Sequence, residues 1–133
     1  MSTLTQQQID HLRQLMDERR ARELEEIRSV AERARDDRQQ TALAGPAADR
    51  LDEALREIAQ SSYYAIVRQN VEDVRDIEEA RKRMAAGTYG VCTDCGREIG
   101  YQRLLAYPTA KRCINCQMEV ERKRAASQGR SAS

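Results

Sequence analysis

Apolar side chains recur at steps of three and four residues along the first third of the chain. They are Ile9, Leu12, Leu15, Met16, Leu24, Ile27, Val30, Ala31 and Ala34. This spacing places one apolar stripe along a helix. Thr5 followed by Gln8 fits a capping box at the start of that helix. The pattern therefore predicts a helix over about residues 5–43, roughly 58 Å long at ~1.5 Å per residue.

A second apolar stripe follows a break at Gly45-Pro46, where the left-handed preference of Gly and the missing N–H of Pro end a helix. Its members are Leu51, Leu55, Ile58, Tyr63, Ile66, Val67, Val71, Val74, Ile77 and Met84. The stripe ends at Gly87. We expect a single second helix of about 36 residues, roughly 54 Å long.

Two long helices of similar length and a short turn predict an antiparallel coiled-coil hairpin, because neither helix can bury its stripe alone. The predicted fold class is mainly α. We expect the N-terminal helix and hairpin to occupy residues 1–86, with the tip near 45–54. We also expect a zinc-finger domain with a closing C-terminal helix, including Met118 and Val120, over 87–125. The remaining residues, 126–133, are expected to form a disordered tail.

All four cysteines of the chain fall into one pattern: Cys92, Cys95, Cys113 and Cys116, with seventeen residues between the two pairs. Two residues between paired thiolates let one tight turn present both sulfurs to an ion. A loop of roughly 15–20 residues brings in the second pair. The spacing predicts one structural Zn²⁺ bound by these four ligands. We expect this finger to lie at the open end of the hairpin, against the start of the first helix.

Paired cysteines have two other common uses, in disulfides and in catalytic redox pairs. The first residues contain no basic segment followed by an apolar one, so no signal peptide is predicted. We therefore expect a cytoplasmic protein, in which disulfides are disfavoured. A catalytic Cys-x-x-Cys pair normally lies near a βαβ pattern, which this sequence does not show. Four thiolates also fill the coordination shell and leave no position for a catalytic water, so an enzyme is not expected.

The charge balance bears on possible partners. The chain has 23 basic and 22 acidic residues, for a net charge of +1. This balance argues against a broad surface that neutralises DNA phosphates. No apolar run approaches the ~20 residues of a membrane span. We expect a monomer that neither reads DNA sequence nor enters membranes. A locally basic segment after Lys111 keeps a nucleic-acid-binding zinc ribbon open as an alternative, alongside a thiol-based redox sensor.

Three features together resemble the DksA/TraR family of bacterial transcription factors. The segments Tyr-Gly-Val-Cys-Thr-Asp-Cys-Gly-Arg-Glu-Ile-Gly from Tyr89 and Pro-Thr-Ala-Lys-Arg-Cys-Ile-Asn-Cys from Pro108 are similar to the finger of that family. Asp49, Asp52 and Ala54 match its Asp-x-x-Asp-x-Ala tip motif. The resemblance implies direct binding to RNA polymerase, with the hairpin tip in the secondary channel. It also implies destabilisation of open promoter complexes, for example at ribosomal RNA promoters.

One departure concerns the alarmone ppGpp, which in one member of this family binds between the factor and polymerase with the help of basic side chains. The corresponding positions here are Asp76, Tyr107 and Gln117, none of which is basic. The stretch 72–79 also holds five acidic residues and one Arg. Such a surface repels a phosphate-rich ligand. We therefore expect little dependence on ppGpp.

Overall fold

A computed structural model describes residues 3–37, 47–59 and 62–132; the side chains of 47–50 and 129–132 are not described. Within these ranges the protein is mainly helical, as predicted. The helices are α1 (Gln6–Asp37), α2 (Ala47–Ala59), α3 (Tyr64–Ala86), α4 (Tyr101–Ala106) and α5 (Ile114–Ala132). Among the described residues, no helix combines the length and apolarity needed to cross a membrane.

The start of α1 confirms the predicted capping box. The Gln8 N–H donates to the Thr5 hydroxyl at 3.1 Å, and the Thr5 N–H donates to the Gln8 side-chain oxygen at 2.9 Å. Two backbone donors that a helix start leaves unpaired are thereby satisfied. The helix runs to Asp37. The predicted end near residue 43 and the Gly45-Pro46 break lie outside the described residues.

The prediction of one continuous second helix was wrong. The helix α2 ends at Ala59 and α3 begins at Tyr64, with Ser62 and Tyr63 in a turn between them. In this turn the Ile66 N–H donates to the Tyr63 carbonyl at 3.0 Å, so the hydrogen bond joins residues that are three apart. Serine favours such local departures because its hydroxyl competes for backbone hydrogen bonds. The apolar stripe continues past the turn, so periodicity alone did not reveal it.

The chain forms two compact units. We call Asp17–Ile77 the helical unit, and Met1–Met16 together with Glu78–Ser133 the finger unit. Residues of α1 and α3 contribute to both. Each unit is described by itself below.

The core of the helical unit is built from both predicted stripes. Its buried members are Ile27, Val30, Ala31, Ala54, Ile58, Val67, Val71 and Val74, with Leu24, Leu51, Leu55 and Tyr63 packed against them. Because α1, α2 and α3 all contribute, the stripes face one another as expected. Burial of these side chains supplies the main stabilising free energy of the unit, at about 25 cal/mol per Å² of apolar surface.

Polar contacts in the helical unit establish the direction of its helices. Arg19 contacts Asp73 at 2.9 Å, and the Asn70 amide donates to Glu23 at 2.7 Å. The Tyr63 hydroxyl donates to the carboxylate of Asp37. Residues later in α1 therefore contact positions earlier in the returning chain, so α1 and α3 are antiparallel, as predicted.

The finger unit includes the start of α1. Leu12 and Met16 of α1 are buried, as are Tyr89 and Leu104. The Thr3 N–H also donates to the carboxylate of Glu98. The expectation that the finger lies against the start of the first helix is consistent with this grouping.

The C-terminal segment differs from the expected disordered tail over 126–133. Met118 and Val120 lie in α5 as predicted, but α5 continues to Ala132. Alanine, Lys, Arg and Glu over 119–126 favour the helix, which then continues through a segment of lower helix propensity that contains Gly129. An ion pair three residues apart, Arg122–Glu119 at 2.6 Å, adds a modest stabilising contribution.

Candidate functional site: a four-cysteine metal centre

A tight turn positions the first cysteine pair. The Cys92 N–H donates to the Arg97 carbonyl at 2.8 Å, and the Gly96 N–H donates to the Cys92 carbonyl at 3.0 Å. An isolated antiparallel bridge between Val91 and Glu98 closes the turn. Gly96 has a φ of 77°, which a residue with a Cβ adopts only with strain. The turn thus presents Cys92 and Cys95 on the same side.

The start of α5 positions the second pair. Cys113 immediately precedes the helix, and Cys116 lies in its first turn. The Gln117 N–H donates to the Cys113 carbonyl at 2.9 Å, which sets the helical phase of the pair. The two pairs are joined by a backbone hydrogen bond from the Thr93 N–H to the Lys111 carbonyl at 2.9 Å.

The four sulfurs converge on one point. The ligand atoms of Cys92, Cys95, Cys113 and Cys116 all lie within 4.8 Å of one another. The Cys95 and Cys113 sulfurs are 3.7 Å apart. A tetrahedral ion with Zn–S bonds of ~2.3 Å requires sulfurs about 3.8 Å apart. The geometry therefore fits one Zn²⁺, and four thiolates make the site structural, since no ligand position is left open.

Backbone donors stabilise negative charge on two of the sulfurs. Burial opposes ionisation of Cys92, but the N–H groups of Cys113, Cys95 and Asp94 lower its pKa to about 6. The Cys116 N–H lowers the pKa of Cys113. Hydrogen bonds to its neighbours, first to the Cys113 sulfur, raise the pKa of Cys116 to about 12. Lowered pKa values at Cys92 and Cys113 beside a raised one at Cys116 are the coupled behaviour expected of thiols grouped at a metal site.

Exposure differs among the four ligands. Cys92 and Cys113 are buried, Cys116 is half-buried and Cys95 is exposed. The buried sulfurs belong to different pairs, so each pair has one protected and one more accessible ligand. Among the four ligand residues, Cys95 is therefore the most exposed.

Polar contacts around the centre hold the finger loops. The Tyr89 hydroxyl donates to the Pro108 carbonyl at 2.8 Å, and Arg83 donates to the Thr109 carbonyl at 3.2 Å. Arg112 and Asp94 form an ion pair at 2.8 Å. Sequence reasoning missed these contacts. The one available sign was that opposite charges stand immediately before Cys95 and Cys113.

The predicted tip residues have different environments in the helical unit. Asp52 is exposed on α2, and Asp49 lies on the same helix with its side chain outside the described residues. Ala54 is 2 % exposed and belongs to the core. Its small size therefore serves packing between helices, whereas Asp52 presents a carboxylate to solvent.

The three positions that were compared with basic ppGpp-binding residues, Asp76, Tyr107 and Gln117, are divided between the two units. Asp76 is exposed in the helical unit. In the finger unit the Arg103 guanidinium lies 5.7 Å from the centre of the Tyr107 ring. The Gln117 amide donates to Glu121 at 3.2 Å. Arg103 also donates to the Arg112 carbonyl at 3.1 Å, so this neighbouring cation already has partners.

The geometry defines a class: a helical protein with a structural zinc finger of the four-cysteine type. Comparison with known families agrees. Residues 87–122 match the prokaryotic DksA/TraR C4-type zinc finger. The match covers all four ligands and confirms the predicted metal and the resemblance on which the functional expectations rest.

Individual relatives extend the comparison. An uncharacterized protein of Aquifex aeolicus (strain VF5) is 38% identical over 71 residues, which are 50% of this chain and 49% of the relative. The RNA polymerase-binding transcription factor DksA of Escherichia coli (strain K12) is 42% identical over 48 residues, 36% of this chain and 32% of that protein. The aligned segments thus span about half or less of these curated relatives.

A solved structure matches most of the fold. The structure of transcription factor DksA2 from Pseudomonas aeruginosa superposes with a TM-score of 0.64 and 26% sequence identity. The match covers 90% of this chain and 88% of that one. The similarity therefore extends beyond the finger to the helices.

Proposed function

We propose that this protein is a transcription regulator that binds RNA polymerase directly. The observation that carries the proposal is the fold similarity to transcription factor DksA2, which covers 90% of this chain. A relative that is 42% identical over 48 residues is named as an RNA polymerase-binding transcription factor. A factor of this kind acts in the cytoplasm, as a monomer, and needs no sequence-specific contact with DNA.

In this proposal the α2 end of the helical unit enters the secondary channel of polymerase. Asp52 provides an exposed carboxylate there, and Asp49 stands three residues before it on the same helix. Residues three apart share a helix face. Two carboxylates can contact basic polymerase residues or perturb the ions around a catalytic Mg²⁺. The outcome is destabilisation of open promoter complexes, strongest where those complexes are short-lived.

The finger unit supplies the docking surface on the polymerase rim. Ile114 and Met118 of α5 are 52% and 59% exposed, and Tyr107 is also exposed. The two α5 residues are four apart and so lie on one helix face. Exposed apolar side chains grouped in this way are typical of surfaces that bind another protein. Zinc supports this surface indirectly, because it holds the start of α5.

We further propose that regulation depends little on ppGpp. Asp76 adds negative charge, while Tyr107 and Gln117 provide no cation. The nearby Arg103 guanidinium already contacts the Tyr107 ring and the Arg112 carbonyl. A ligand rich in phosphate gains little from these side chains.

Single-round transcription from a ribosomal RNA promoter tests the proposal. Purified bacterial polymerase is mixed with the wild type, Asp52→Asn or Glu53→Gln, with and without ppGpp. We expect inhibition by the wild type and by Glu53→Gln, the matched control on the same helix. Asp52→Asn should bind polymerase but not inhibit. Absence of both binding and inhibition by the wild type would overturn the proposal, and strong ppGpp synergy would overturn its last part.

A second candidate function, thiol-based redox sensing, is favoured by the exposure of Cys95. Hydrogen peroxide would oxidise two cysteine thiolates to a disulfide by two electrons and, with two protons from solvent, be reduced to two molecules of water. Loss of these two ligands would release zinc. If the protein is such a sensor, mild peroxide should release zinc, and a thiol reductant should reverse the release. Retention of zinc at peroxide concentrations that oxidise sensor thiols would exclude this role.

A further inference from the structure

One ion pair bridges the two cysteine pairs of the metal centre. Asp94 stands immediately before Cys95, and Arg112 stands immediately before Cys113. Their side chains meet at 2.8 Å, with Arg112 21% and Asp94 42% exposed. The contact thus joins segments that are far apart in the chain but adjacent at the metal. Apart from the backbone bond between Thr93 and Lys111, it is a second cross-link between the pairs.

Arg112 is held in position at both ends. Its backbone carbonyl accepts a hydrogen bond from the Arg103 Nε at 3.1 Å, and its own Nε donates to Asp94 at 2.8 Å. The first bond fixes the backbone that carries the side chain, and the second is the ion pair itself. With 21% of Arg112 and 42% of Asp94 exposed, the pair is more shielded from water than an ion pair exposed on both sides, which contributes little.

We propose that Asp94 and Arg112 act as a clasp that slows the loss of zinc. Cys95 is the exposed residue among the four ligands, so in this proposal it is the ligand that would detach first when zinc is lost. While the clasp holds, the detached Cys95 stays beside Cys113, and its sulfur rebinds at high effective concentration. Opening of the clasp lets the two pairs separate, and the remaining ligands are then lost.

Charge makes the two members of the clasp unequal. Zn²⁺ bound by four thiolates carries a net charge of about −2. The Arg112 cation offsets part of that charge, whereas the Asp94 carboxylate adds to it. Removal of Arg112 therefore leaves a carboxylate unpaired beside an anionic centre. Removal of Asp94 opens the clasp but leaves the favourable cation, so its effect is smaller.

Transfer of zinc from the zinc-loaded protein to excess chromogenic chelator measures the rate at which the ion is lost, and so the effect of the clasp. We expect Asp94→Ala to accelerate release by roughly threefold and Arg112→Met by about tenfold, the lower end of effects seen for outer-shell partners of metal ligands. The double variant should release zinc no faster than Arg112→Met alone, because the clasp is already open. The absorption spectrum of each Co²⁺-substituted variant shows whether four thiolates still bind the metal.

Glu79→Ala and Lys82→Met provide matched controls. They remove an ion pair of 3.2 Å on α3, within the same unit but away from the cysteines, and should release zinc at the wild-type rate. Zinc release from Arg112→Met at the wild-type rate would contradict the clasp. Independent increases of the release rate by the two substitutions in the double variant would also contradict it. If Arg112→Met does not load zinc, Arg112→Lys decides: release between the wild type and Asp94→Ala supports the clasp, and release as fast as from Asp94→Ala or faster overturns it.

Discussion

Arg19 of α1 donates to the carboxylate of Asp73 on α3 at 2.9 Å, within the helical unit. The Asp73 side chain is 13% exposed, so this carboxylate is partly removed from water and needs its partner. Arg19 interrupts the apolar stripe of the first helix and uses its position to make a cross-helix ion pair instead. The contact also specifies which positions of the two helices face each other.

Loss of this pair should destabilise the helical unit. We expect Asp73→Ala to lower the free energy of unfolding by about 1 kcal/mol, discounted because Arg19 is itself substantially exposed. Glu72→Ala is the control, since its pair with Arg68 is exposed on both sides. It should change stability by less than about 0.5 kcal/mol. Urea unfolding followed by circular dichroism measures both, and equal effects would contradict a special role for Asp73.

The raised pKa of Glu23 predicts that the stability of the folded protein depends on pH. Burial, followed by the nearby Asp73 carboxylate, raises the pKa of Glu23 above its usual range, although Asn70 and Arg19 partly oppose the shift. A raised pKa in the folded state means that the native protein binds this proton more tightly than the unfolded chain does. The stabilising contribution is complete below the unfolded pKa and is lost as pH rises through the folded one.

The comparison of wild type with Glu23→Gln isolates this effect. As pH falls from 7 towards the ordinary carboxyl range, the wild type should gain stability relative to the variant, which cannot take up the proton. Urea titrations at several pH values give the difference. A difference in stability that does not change with pH would show that Glu23 titrates normally in the folded protein.

Substitutions at Asp52 and at Ala54 should have different effects on the free energy of unfolding. Asp52 is exposed, so Asp52→Asn is expected to leave the free energy of unfolding within about 0.5 kcal/mol of the wild type. Ala54 is buried in the core, and Ala54→Leu should cost about 1–3 kcal/mol through overpacking. Thermal or urea unfolding measures both. A harmless Ala54→Leu would mean that the core around it can expand freely.

Removal of zinc should unfold the finger unit while the helical unit keeps its core. A structural zinc site supplies folding free energy, and the four thiols repel one another once ionised. We expect chelation to abolish hydrogen-exchange protection around Tyr89 and Leu104. Protection at Val67 and Val71, in the core of the other unit, should persist. Zinc addition under reducing conditions should restore the finger, and simultaneous loss of protection in both units would contradict this independence.

Local patterns in the sequence were sufficient for the metal ligands and for the start of α1. Cys92 and Cys95 are presented by one short turn, and Thr5 with Gln8 forms a cap within a single helical turn. Such features depend on neighbours along the chain. The antiparallel pairing of two apolar stripes was also predictable, because burial of both leaves few other arrangements.

The features that the sequence left open depend on contacts between distant residues or on competition among local conformations. The turn at Ser62 and Tyr63 lies within the apolar stripe, where the spacing from Ile58 to Tyr63 is five residues. This one longer spacing does not by itself distinguish one helix from two. Burial of Ala54 follows from where α2 packs, since helix propensity is the same on every face. Asp94 and Arg112 are eighteen positions apart and meet only because the finger closes around its four sulfurs. Sequence determined the chemistry of the ligands, and the tertiary structure decided which charges accompany them, because ion pairs require proximity in space.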